Sequence, residues 1–437
     1  MDEIFLTIFF ISLLLFLLGT GIWVALSMIA VSAIGMILFT TRPVGDAMAT
    51  TIWGTSSSWT LTALPLFVWM GEILFRTKLS ENLFSGLSPW MQKLPGGLIH
   101  VNVVGCALFA AISGSSAATV ATVGKMSIPE LRKRKYPEKI LLGSLAGSGT
   151  LGLLIPPSII LIIYGVTVQE SIAKLFIAGI IPGIMIALIF MSYVIIWSLI
   201  NKKSMPKYVE NFSFLEKIKK SKQLLPVIIL ISAVIGSIYT GVATATEAAS
   251  LGVVGALILS YFQKSLTTET FKQSLLGATK TSCMIAFILA GGAFLTMSMG
   301  FTGLPRSIAE WIASIGLSNL ELLLCLMVFY IILGCFLDGI SSIVLTMAVV
   351  EPMIRDAGIN VIWFGIYLTV LVEMAQITPP VGFNLFVLQG MTKHEMYFLA
   401  KSALPMFLVM VVMVFIMIAF PELATYLPST VRSAGAG

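Results

Sequence analysis

Long apolar runs occupy almost the whole chain, from Ile4–Leu18 near its start to Ser402–Phe420 near its end. Crossing about 30 Å of hydrocarbon takes about 20 helical residues, and these runs approach that length. Hydrophobic residues make up 58% and charged residues 11% of the 437 positions, so a water-soluble fold could not cover this much apolar surface. The sequence therefore predicts an all-α polytopic membrane protein without a soluble domain.

The apolar runs predict spanning segments at 4–20, 22–39, 50–75, 140–166, 175–200, 224–240, 245–262, 275–300, 362–390 and 402–420. We interpret the first as a span rather than a signal peptide, because Asp2 and Glu3 precede it and no small-residue cleavage site follows. Two further stretches, 98–128 and 320–355, carry the polar tips "AISGSSAATV" and "FLDGISSIVLT" in their middle. Each predicts two short helices that meet within the membrane, which is a re-entrant hairpin.

The two hairpins belong to a unit that occurs twice in the chain. Gly114 at the first tip corresponds to Gly339 at the second, 225 residues later (339 − 114). A double proline follows each hairpin, beginning at Pro156 and at Pro379, 223 residues apart (379 − 156). The two matching offsets predict a repeat of span, amphipathic connector, hairpin and proline-broken span.

Charge gives the two copies opposite orientations. The segment after the first hairpin, Lys125–Lys139, is strongly basic, whereas its counterpart contains Glu351 and Asp356. Since basic loops stay in the cytoplasm, the first segment faces the cytoplasm, with the second basic stretch Lys202–Lys222, and the acidic segment faces the other side. These loops also account for the net charge of +6, which therefore does not indicate nucleic-acid binding. An inverted repeat is the architecture of secondary transporters, with binding sites near the midplane.

The double prolines interrupt spans at the depth expected for the hairpin tips. Pro156 and Pro157 disfavour a continuous helix, and the preceding "GSGTLG" is expected to unwind. Unwound backbone in hydrocarbon is costly unless it lines a cavity or binds a ligand. Its carbonyls suit sodium, and helix N-termini at the tips suit a carboxylate. The second broken span, "VEMAQITPPVGF", offers the same carbonyls with Gln376, Thr378 and the ionisable Glu373.

Several of these residues also have simpler explanations. Glycine, serine and threonine in membrane helices often serve close packing alone, and Asp338 suits the N-cap of the second hairpin arm. An acid beside a break in the membrane is functional by default, which favours a role of Asp338 in cation or substrate binding. Glu72 and Glu247 are weaker candidates that would otherwise pair within the scaffold. His100 and His394 lie near the ends of apolar segments and are expected at the interface.

Neither enzymatic nor redox chemistry is indicated by the sequence. The four cysteines lie in apolar segments without CxxC spacing, which predicts neither a disulfide nor a metal site. The sequence contains no HExxH motif, Cys/His cluster or phosphate-binding loop, so an intramembrane enzyme is disfavoured. A channel is disfavoured as well, because single copies of Asp338 and Ser113 are typical of a closed binding site rather than a ring of filter groups.

Six segments together resemble the large membrane (M) subunit of the tripartite ATP-independent periplasmic (TRAP) transporters, of the DctM and SiaM kind. They are "PLFVWMGEILF", "AAISGSSAATVATVG", "GTLGLLIPPSIILIIYG", "SIAKLFIAGIIPG", "ATATEAASLG" and "ITPPVGFNLFVLQG", and they extend from about residue 64 to 390. The resemblance implies an elevator-type, sodium-driven uptake system for organic acids in the bacterial inner membrane. Its partners would be a small membrane subunit, expected here as a separate chain, and a periplasmic substrate-binding protein.

The resemblance also implies the site residues and at least two sodium ions as coupling ions. Substrate would lie between the tips, against Ser113, Ser116, Asp338, Ser341 and Ser342. The implied sodium ligands are Ser113, Gly114, Ser115, Gly147, Thr150 and Pro156 in the first repeat and Asp338, Gly339, Gln376, Thr378 and Pro379 in the second. These hydroxyls and helix ends would accept any small carboxylate, from a dicarboxylate to a sialic acid.

The predicted architecture divides the chain into scaffold and transport segments. They are an N-terminal scaffold (1–75), a connector (76–97), the first hairpin and broken span (98–174), scaffold spans with a basic loop (175–300), a connector (301–319), the second hairpin and broken span (320–390), and a C-terminal span and tail (391–437). An autonomous sodium–anion symporter of the divalent-anion type, which needs no binding protein, would have the same hairpin chemistry. That alternative stays open at the level of the sequence.

Overall fold

The computed structural model describes residues 3–76, 79–206 and 212–430. The regular elements in these ranges are helices, and two of them are short 3₁₀ turns, Trp59–Thr62 and Lys202–Ser204. The first half contains α1 (Glu3–Gly19), α2 (Val24–Phe39), α3 (Val44–Ser56), α4 (Ala63–Phe75), α5 (Leu79–Met91), α6 (Ile99–Ser113), α7 (Ser116–Lys133), α8 (Glu138–Leu154), α9 (Ile159–Val168) and α10 (Ile172–Ile200).

A short amphipathic helix, α11 (Phe214–Ser221), links the two halves. The second half contains α12 (Leu225–Tyr239), α13 (Ala245–Phe262), α14 (Thr268–Thr302), α15 (Leu304–Ser314), α16 (Asn319–Gly334), α17 (Gly339–Asp356), α18 (Val361–Ala375), α19 (Phe383–Thr392), α20 (Met396–Ala419) and α21 (Glu422–Thr430). Four of the described helices, α10, α13, α14 and α20, are each long and apolar enough to cross a membrane alone.

The order of helices in the first half recurs in the second, which confirms the predicted repeat. The second hairpin arms, α7 and α17, begin 223 residues apart (339 − 116), as do α8 and α18 (361 − 138). The correspondence extends beyond the hairpins: α1 and α2 match α12 and α13, α5 matches α15, and α10 matches α20. Only α11 and α21 fall outside this match among the described helices.

The predicted span over 50–75 is not one straight helix. The chain there bends by 54° between α3 and the segment Trp59–Phe75. Serine side chains compete with the backbone for helical hydrogen bonds, and three of them, at 56–58, precede the bend. The counterpart in the second repeat, α14, is one helix of 35 residues, about 52 Å long at 1.5 Å per residue. It is therefore long enough to extend beyond the hydrocarbon layer.

Contacts at helix ends place the base of the first hairpin on one side of the molecule. The Leu98 N–H, just before α6, donates to the Tyr136 hydroxyl, just after α7 (3.0 Å). Glu138, which begins α8, accepts from Arg132 near the end of α7 (2.6 Å) and lies 3.3 Å from the His394 ring, just after α19. The start of α8 and the end of α19 therefore share the basic side with the base of this hairpin.

The base of the second hairpin lies on the opposite side. The Arg355 guanidinium at the end of α17 donates to the Val168 carbonyl at the end of α9 (3.4 Å). The Tyr164 hydroxyl on α9 donates to the Val361 carbonyl at the start of α18 (2.7 Å). The pair α8–α9 thus runs from the basic side to this one, and α18–α19 runs back. The two copies are inverted, as the loop charges predict.

The basic stretch Lys202–Lys222 lies partly outside the described residues, which omit 207–211, and so does the tail after 430. Its helix α11 packs against the connector helix α5. The Trp90 indole on α5 donates to the Ser221 hydroxyl (2.7 Å), and the Lys217 ammonium lies 5.2 Å from the centre of the Trp90 ring. The link between the two halves and the first connector therefore form one surface layer.

Candidate functional site

The first hairpin tip is a tight turn that presses against the first break. Helix α6 ends at Ser113, Gly114 adopts a left-handed conformation (φ +58°), and Ser115 is the N-cap of α7. A methyl group at Gly114 would lie 3.0 Å from the Pro157 carbonyl oxygen. The Ser113 hydroxyl lies 2.9 Å from the Thr119 hydroxyl one turn into α7. Both the backbone conformation and the space at this tip therefore require glycine.

The expected unwinding of "GSGTLG" is wrong, because α8 continues through Leu154. The chain leaves the helix only at Ile155, the residue before Pro156, which takes an extended conformation (ψ 121°). A proline restricts the residue before it, so earlier turns keep their hydrogen bonds. The Thr150 hydroxyl accordingly donates to the Gly147 carbonyl within the helix (2.7 Å).

The glycines of α8 serve close packing of helices. A methyl group at Gly152 would lie 2.6 Å from the Ser115 carbonyl oxygen at the first tip. One at Gly147 would lie 2.5 Å from Cβ of Met406 on α20. These glycines bring the hairpin tip and α20 against the backbone of α8, which is the packing role that small residues have in membrane helices.

The second tip is capped by Asp338. Its carboxylate accepts from the backbone N–H of Ile340 (3.1 Å) and Ser341 (3.4 Å), so it is the N-cap of α17. The Ser342 hydroxyl donates to the Asp338 carbonyl oxygen (2.9 Å), and the Ser341 side chain is buried. The Asp338 side chain is exposed. The capping role is confirmed, and the cation or substrate role of Asp338 stays a prediction.

The second tip packs between the two broken helices. A methyl group at Gly339 would lie 2.7 Å from Cδ1 of Ile160 on α9. The same methyl would lie 3.5 Å from Nε2 of Gln376, at the second break. Since Ile160 belongs to the first repeat and Gln376 to the second, this tip contacts the broken spans of both copies.

The second break, 376–382, is longer than the first, 155–158. It closes on itself through the Asn384 N–H, which donates to the Gln376 carbonyl (3.1 Å). The Thr378 hydroxyl donates to the Met374 carbonyl (3.0 Å), within its own helical turn. Pro379 is exposed. The predicted ligands Gln376, Thr378 and Pro379 thus lie in three different environments.

Side chains from opposite repeats meet at the first tip and the second break. The Ser116 hydroxyl, in the first turn of α7, donates to the side-chain oxygen of Gln376. Both residues are nearly buried, with 3% and 9% of their surface exposed. The Asn384 amide on α19 donates to the Ala146 carbonyl on α8 (3.4 Å). The structure therefore brings together polar groups that are about 260 positions apart in the chain.

Three buried residues of the tips and broken spans have a side-chain oxygen for which no hydrogen-bond partner exists among the described residues: Ser148, Ser341 and Asn384. The carboxyl group of Glu373, fully buried, faces the backbone of Leu153 and Leu154 at the end of α8. Buried polar atoms are normally paired, so these residues are candidate ligands of the site.

Sequence reasoning missed Asn384 and Ser148 as site residues. Asn384 is an amide in the apolar segment that follows the second double proline, and a polar residue at such depth is itself a functional signal. Ser148 carried no such signal, because small hydroxyl residues are common in packed membrane helices. Its unpaired oxygen depends on the packing of α8 against its neighbours.

The weaker candidates have structural partners. The Glu72 carboxylate is 3.0 Å from the Arg76 guanidinium, and Glu247 closes the capping box of α13 with Thr244. His394 is half-buried beside Glu138, near the basic end. His100 is buried within the protein near the start of α6, with Nε2 2.8 Å from the Pro95 carbonyl oxygen. Gly96 of the preceding turn lies against this ring.

Comparison with known proteins agrees with this geometry. The family model of the tripartite ATP-independent periplasmic transporter, DctM component, matches residues 10–423. The chain belongs to this family.

Curated relatives match over nearly their whole length. The C4-dicarboxylate TRAP transporter large permease protein DctM of Pseudomonas aeruginosa is 33% identical, over 91% of this chain and 92% of that protein. The sialic acid TRAP transporter large permease protein SiaM of Vibrio cholerae is 29% identical, over 94% and 96%. The YdaH transporter of Alcanivorax borkumensis has a similar fold, with a TM-score of 0.64 over 92% of this chain and 98% of that one, at 12% identity.

Proposed function

We propose that this chain is the permease of a sodium-coupled uptake system for an organic acid, and that it works by an elevator movement. The observation that carries the proposal is the convergence of both tips and both breaks of an inverted repeat, shown by the Ser116–Gln376 hydrogen bond and the position of Gly339 between the broken helices. Discontinuous helices that meet at depth provide ion and substrate sites in secondary transporters.

The proposed substrate is a small carboxylate. The first turns of α7 and α17 point their backbone N–H groups toward the tips, where a negative charge is favoured. Ser113, Ser116, Ser341 and Ser342 would add hydroxyl donors, with Asp338 at the edge. The names of the relatives include C4-dicarboxylates and sialic acid, both of which are organic acids.

Two sodium ions would move with the substrate, one for each repeat. The first would use the tip residues Ser113, Gly114 and Ser115 with the carbonyls of the break at 155–158. Gly147 and Thr150 lie in regular helix, so their backbone carbonyls would not serve as ligands. From this part of α8, a side-chain oxygen such as that of Ser148 would contribute instead.

The second sodium ion would use the tip at Asp338 and Gly339 with the break at 376–382. Gln376, Thr378 and the carbonyl beside Pro379 belong to that break. The unpaired side-chain oxygen of Asn384 supports a cation near the second break, because a cation would satisfy it.

The elevator movement would carry both hairpins and broken spans past the scaffold. A methyl group at Gly71 on scaffold helix α4 would lie 2.9 Å from the Ile112 carbonyl at the first tip. On the symmetric face, Gly292 of α14 would meet Val344 of α17 in the same way. Small residues at both contacts give smooth surfaces, which suits sliding of one group of helices past another.

The proposed setting is the bacterial inner membrane, in complex with two partners. The family description names a tripartite periplasmic system, which supports a small membrane subunit and a substrate-binding protein as the other parts. These partners also separate this proposal from the autonomous symporter, which would transport without them.

Uptake into proteoliposomes tests the proposal. The permease is reconstituted with its small subunit, and the binding protein loaded with a labelled organic acid is added outside. We expect uptake only with an inward sodium gradient, with a Hill coefficient for sodium above one. Full uptake in sodium-free buffer would contradict the coupling, and full uptake without the binding protein would favour the autonomous symporter.

A further inference from the structure

A cavity of about 1010 Å³ opens on the cytoplasmic side, between the scaffold and the first hairpin. It is lined by α4, α5, α7 and α14, and by residues next to and within α11. Thr122 of α7 lines it six residues after Ser116, which is about 9 Å along the helix from the first tip. The cavity is therefore close to the proposed site along α7.

The lining of the cavity is basic. One acidic side chain, that of Glu130, and four cationic side chains line it. The cations are Arg76, Lys125, Arg134 and Lys220. Arg134 forms an ion pair with Glu130 (3.6 Å). Lys220 lies over the Phe212 ring (4.1 Å), so a face of its ammonium group remains available. Lys125 is exposed. Arg76 is paired as well, with Glu72 (3.0 Å), so the excess positive charge of the lining comes from Lys125 and Lys220.

Two hydrogen-bond donors on the lining have no partner. They are Nε of Arg76 and the hydroxyl of Thr122, both buried atoms without a hydrogen bond among the described residues. The other nitrogens of Arg76 bond Glu72 (3.0 Å) and Gln273 (3.0 Å), which fixes the guanidinium in place. An oriented guanidinium and an unpaired hydroxyl that line the same cavity match an anionic oxygen. The positive-inside rule explains basic loops but not buried donors that lack a partner.

We propose that this cavity is an exit subsite, in which the organic carboxylate binds after it leaves the tips and before it enters the cytoplasm. The proposal rests on the function proposed above. Arg76 and Thr122 would hold the carboxylate group, Lys125 and Lys220 would attract it, and the apolar walls at Phe75 and Phe84 would face the carbon skeleton. Positive clefts raise the local concentration of an anion by about tenfold or more.

Protection of a single cysteine tests the subsite without depending on transport. Ala121→Cys places a thiol in the lining, in a chain where Cys283, Cys325 and Cys335 are replaced and the buried Cys106 is kept. The rate of reaction with a negatively charged methanethiosulfonate is compared with that of a positively charged one, in detergent. Ser88→Cys, also in the lining, is the second position, and Thr268→Cys, which is exposed, is the control.

We expect the anionic reagent to be favoured about tenfold more in the Ala121→Cys variant than in the control, and 10 mM succinate or sialic acid to slow the reaction about threefold or more. Arg76→Gln and Lys220→Gln should remove both effects. Lys219→Gln, on the same helix but outside the lining, should keep them.

Three outcomes would overturn the proposal. Equal protection by neutral succinamide would show that charge is not recognised. Protection by phosphatidylglycerol but by no free carboxylate would assign the site to lipid headgroups. Absence of any protection at either introduced cysteine would remove the subsite. Sodium-driven uptake that persists in these cases would leave the proposed function intact, whereas protection without sodium-dependent uptake would contradict the coupling alone.

Discussion

The first tip and break are enclosed, whereas the second tip and break are open to the surface of the chain. Gly114, Ser116 and the prolines at 156–157 are buried, and the break they contact has four residues. In the second copy Asp338 and the prolines at 379–380 are exposed, and the break has seven residues. The two copies share the same order of helices, but the first tip and break are buried and the second are partly exposed.

This difference teaches that the internal symmetry does not extend to ligand access. In this structure the first tip is covered by packed helices, whereas Asp338 at the second tip is exposed. We therefore expect ligand exchange at the first tip to need movement of those helices.

The largest expected effect distinguishes the two tip glycines. Gly114→Ala combines a left-handed backbone (φ +58°) with a contact to a backbone carbonyl that cannot move aside. Gly339→Ala meets mainly the side-chain ends of Ile160 and Val372. We expect Gly114→Ala to reduce uptake more than tenfold and Gly339→Ala to reduce it several-fold, whereas valine at either position should abolish it.

The control for both glycines is Gly236→Ala, since a methyl group there meets nothing within 4 Å. Initial uptake rates are compared at equal amounts of folded protein, measured by size-exclusion chromatography with the small subunit. Equal loss from both alanine variants would show that the tips are equivalent after all.

Substitutions of Asp338 distinguish a role as helix cap from a role in cation binding. Asparagine caps a helix about as well as aspartate, whereas alanine costs about 1 kcal/mol at an N-cap. We expect Asp338→Asn to keep the thermal stability of the protein but to weaken its apparent sodium affinity about tenfold. Asp338→Ala should lose both. If Asp338→Asn transports with unchanged sodium dependence, the residue serves the cap alone.

Loss of the hydrogen bond between Ser116 and Gln376, which joins the two copies, is expected to reduce uptake by a smaller factor. Gln376→Ala removes the partner of the buried Ser116 hydroxyl, and an unsatisfied buried group costs about 1–3 kcal/mol. We expect uptake to fall about fivefold to tenfold. Uptake by Thr167→Val should fall less than twofold, because the Thr167 hydroxyl, outside the proposed site, bonds only the Ile163 carbonyl of its own helix (2.8 Å). The ratio of the two initial uptake rates is the measurement. A ratio near one would show that the contact is not needed for uptake.

The smallest expected effect concerns the scaffold acid Glu72. Its ion pair with Arg76 is partly exposed (27% for both side chains), and such pairs contribute about 0–1 kcal/mol. We expect Glu72→Gln to leave sodium-driven uptake within about twofold of the unmodified protein. A tenfold loss would show that Glu72 acts in the site rather than in the scaffold.

Hydropathy and charge were sufficient to predict the hairpins, the broken spans and the inverted repeat. Each depends on residues that act locally, such as the prolines at 156–157 or the basic loop Lys125–Lys139. The continuation of α8 through Leu154 was not predicted, since glycines that suit unwinding also suit the close approach of α20. Only the position of Met406 against Gly147 decides between the two.

The different exposure of the two sites could not be predicted either. "GSGTLG" and "AQITPP" are both polar, flexible segments before a double proline, and nothing in them shows which is covered. Coverage is set by helices distant in sequence, such as the packing of Gly71 on the first tip. The role of Asn384 depends in the same way on α8, to which its amide donates a hydrogen bond.

The inverted relation of the two copies is the central claim, and accessibility of their loops to a reagent tests it most directly. Lys135→Cys and Asp356→Cys are labelled in intact cells and in inside-out vesicles with a membrane-impermeant thiol reagent, after replacement of the exposed native cysteines. The account predicts labelling of Lys135→Cys only from the cytoplasmic side and of Asp356→Cys only from the periplasmic side. Labelling of both positions from the same side would contradict it.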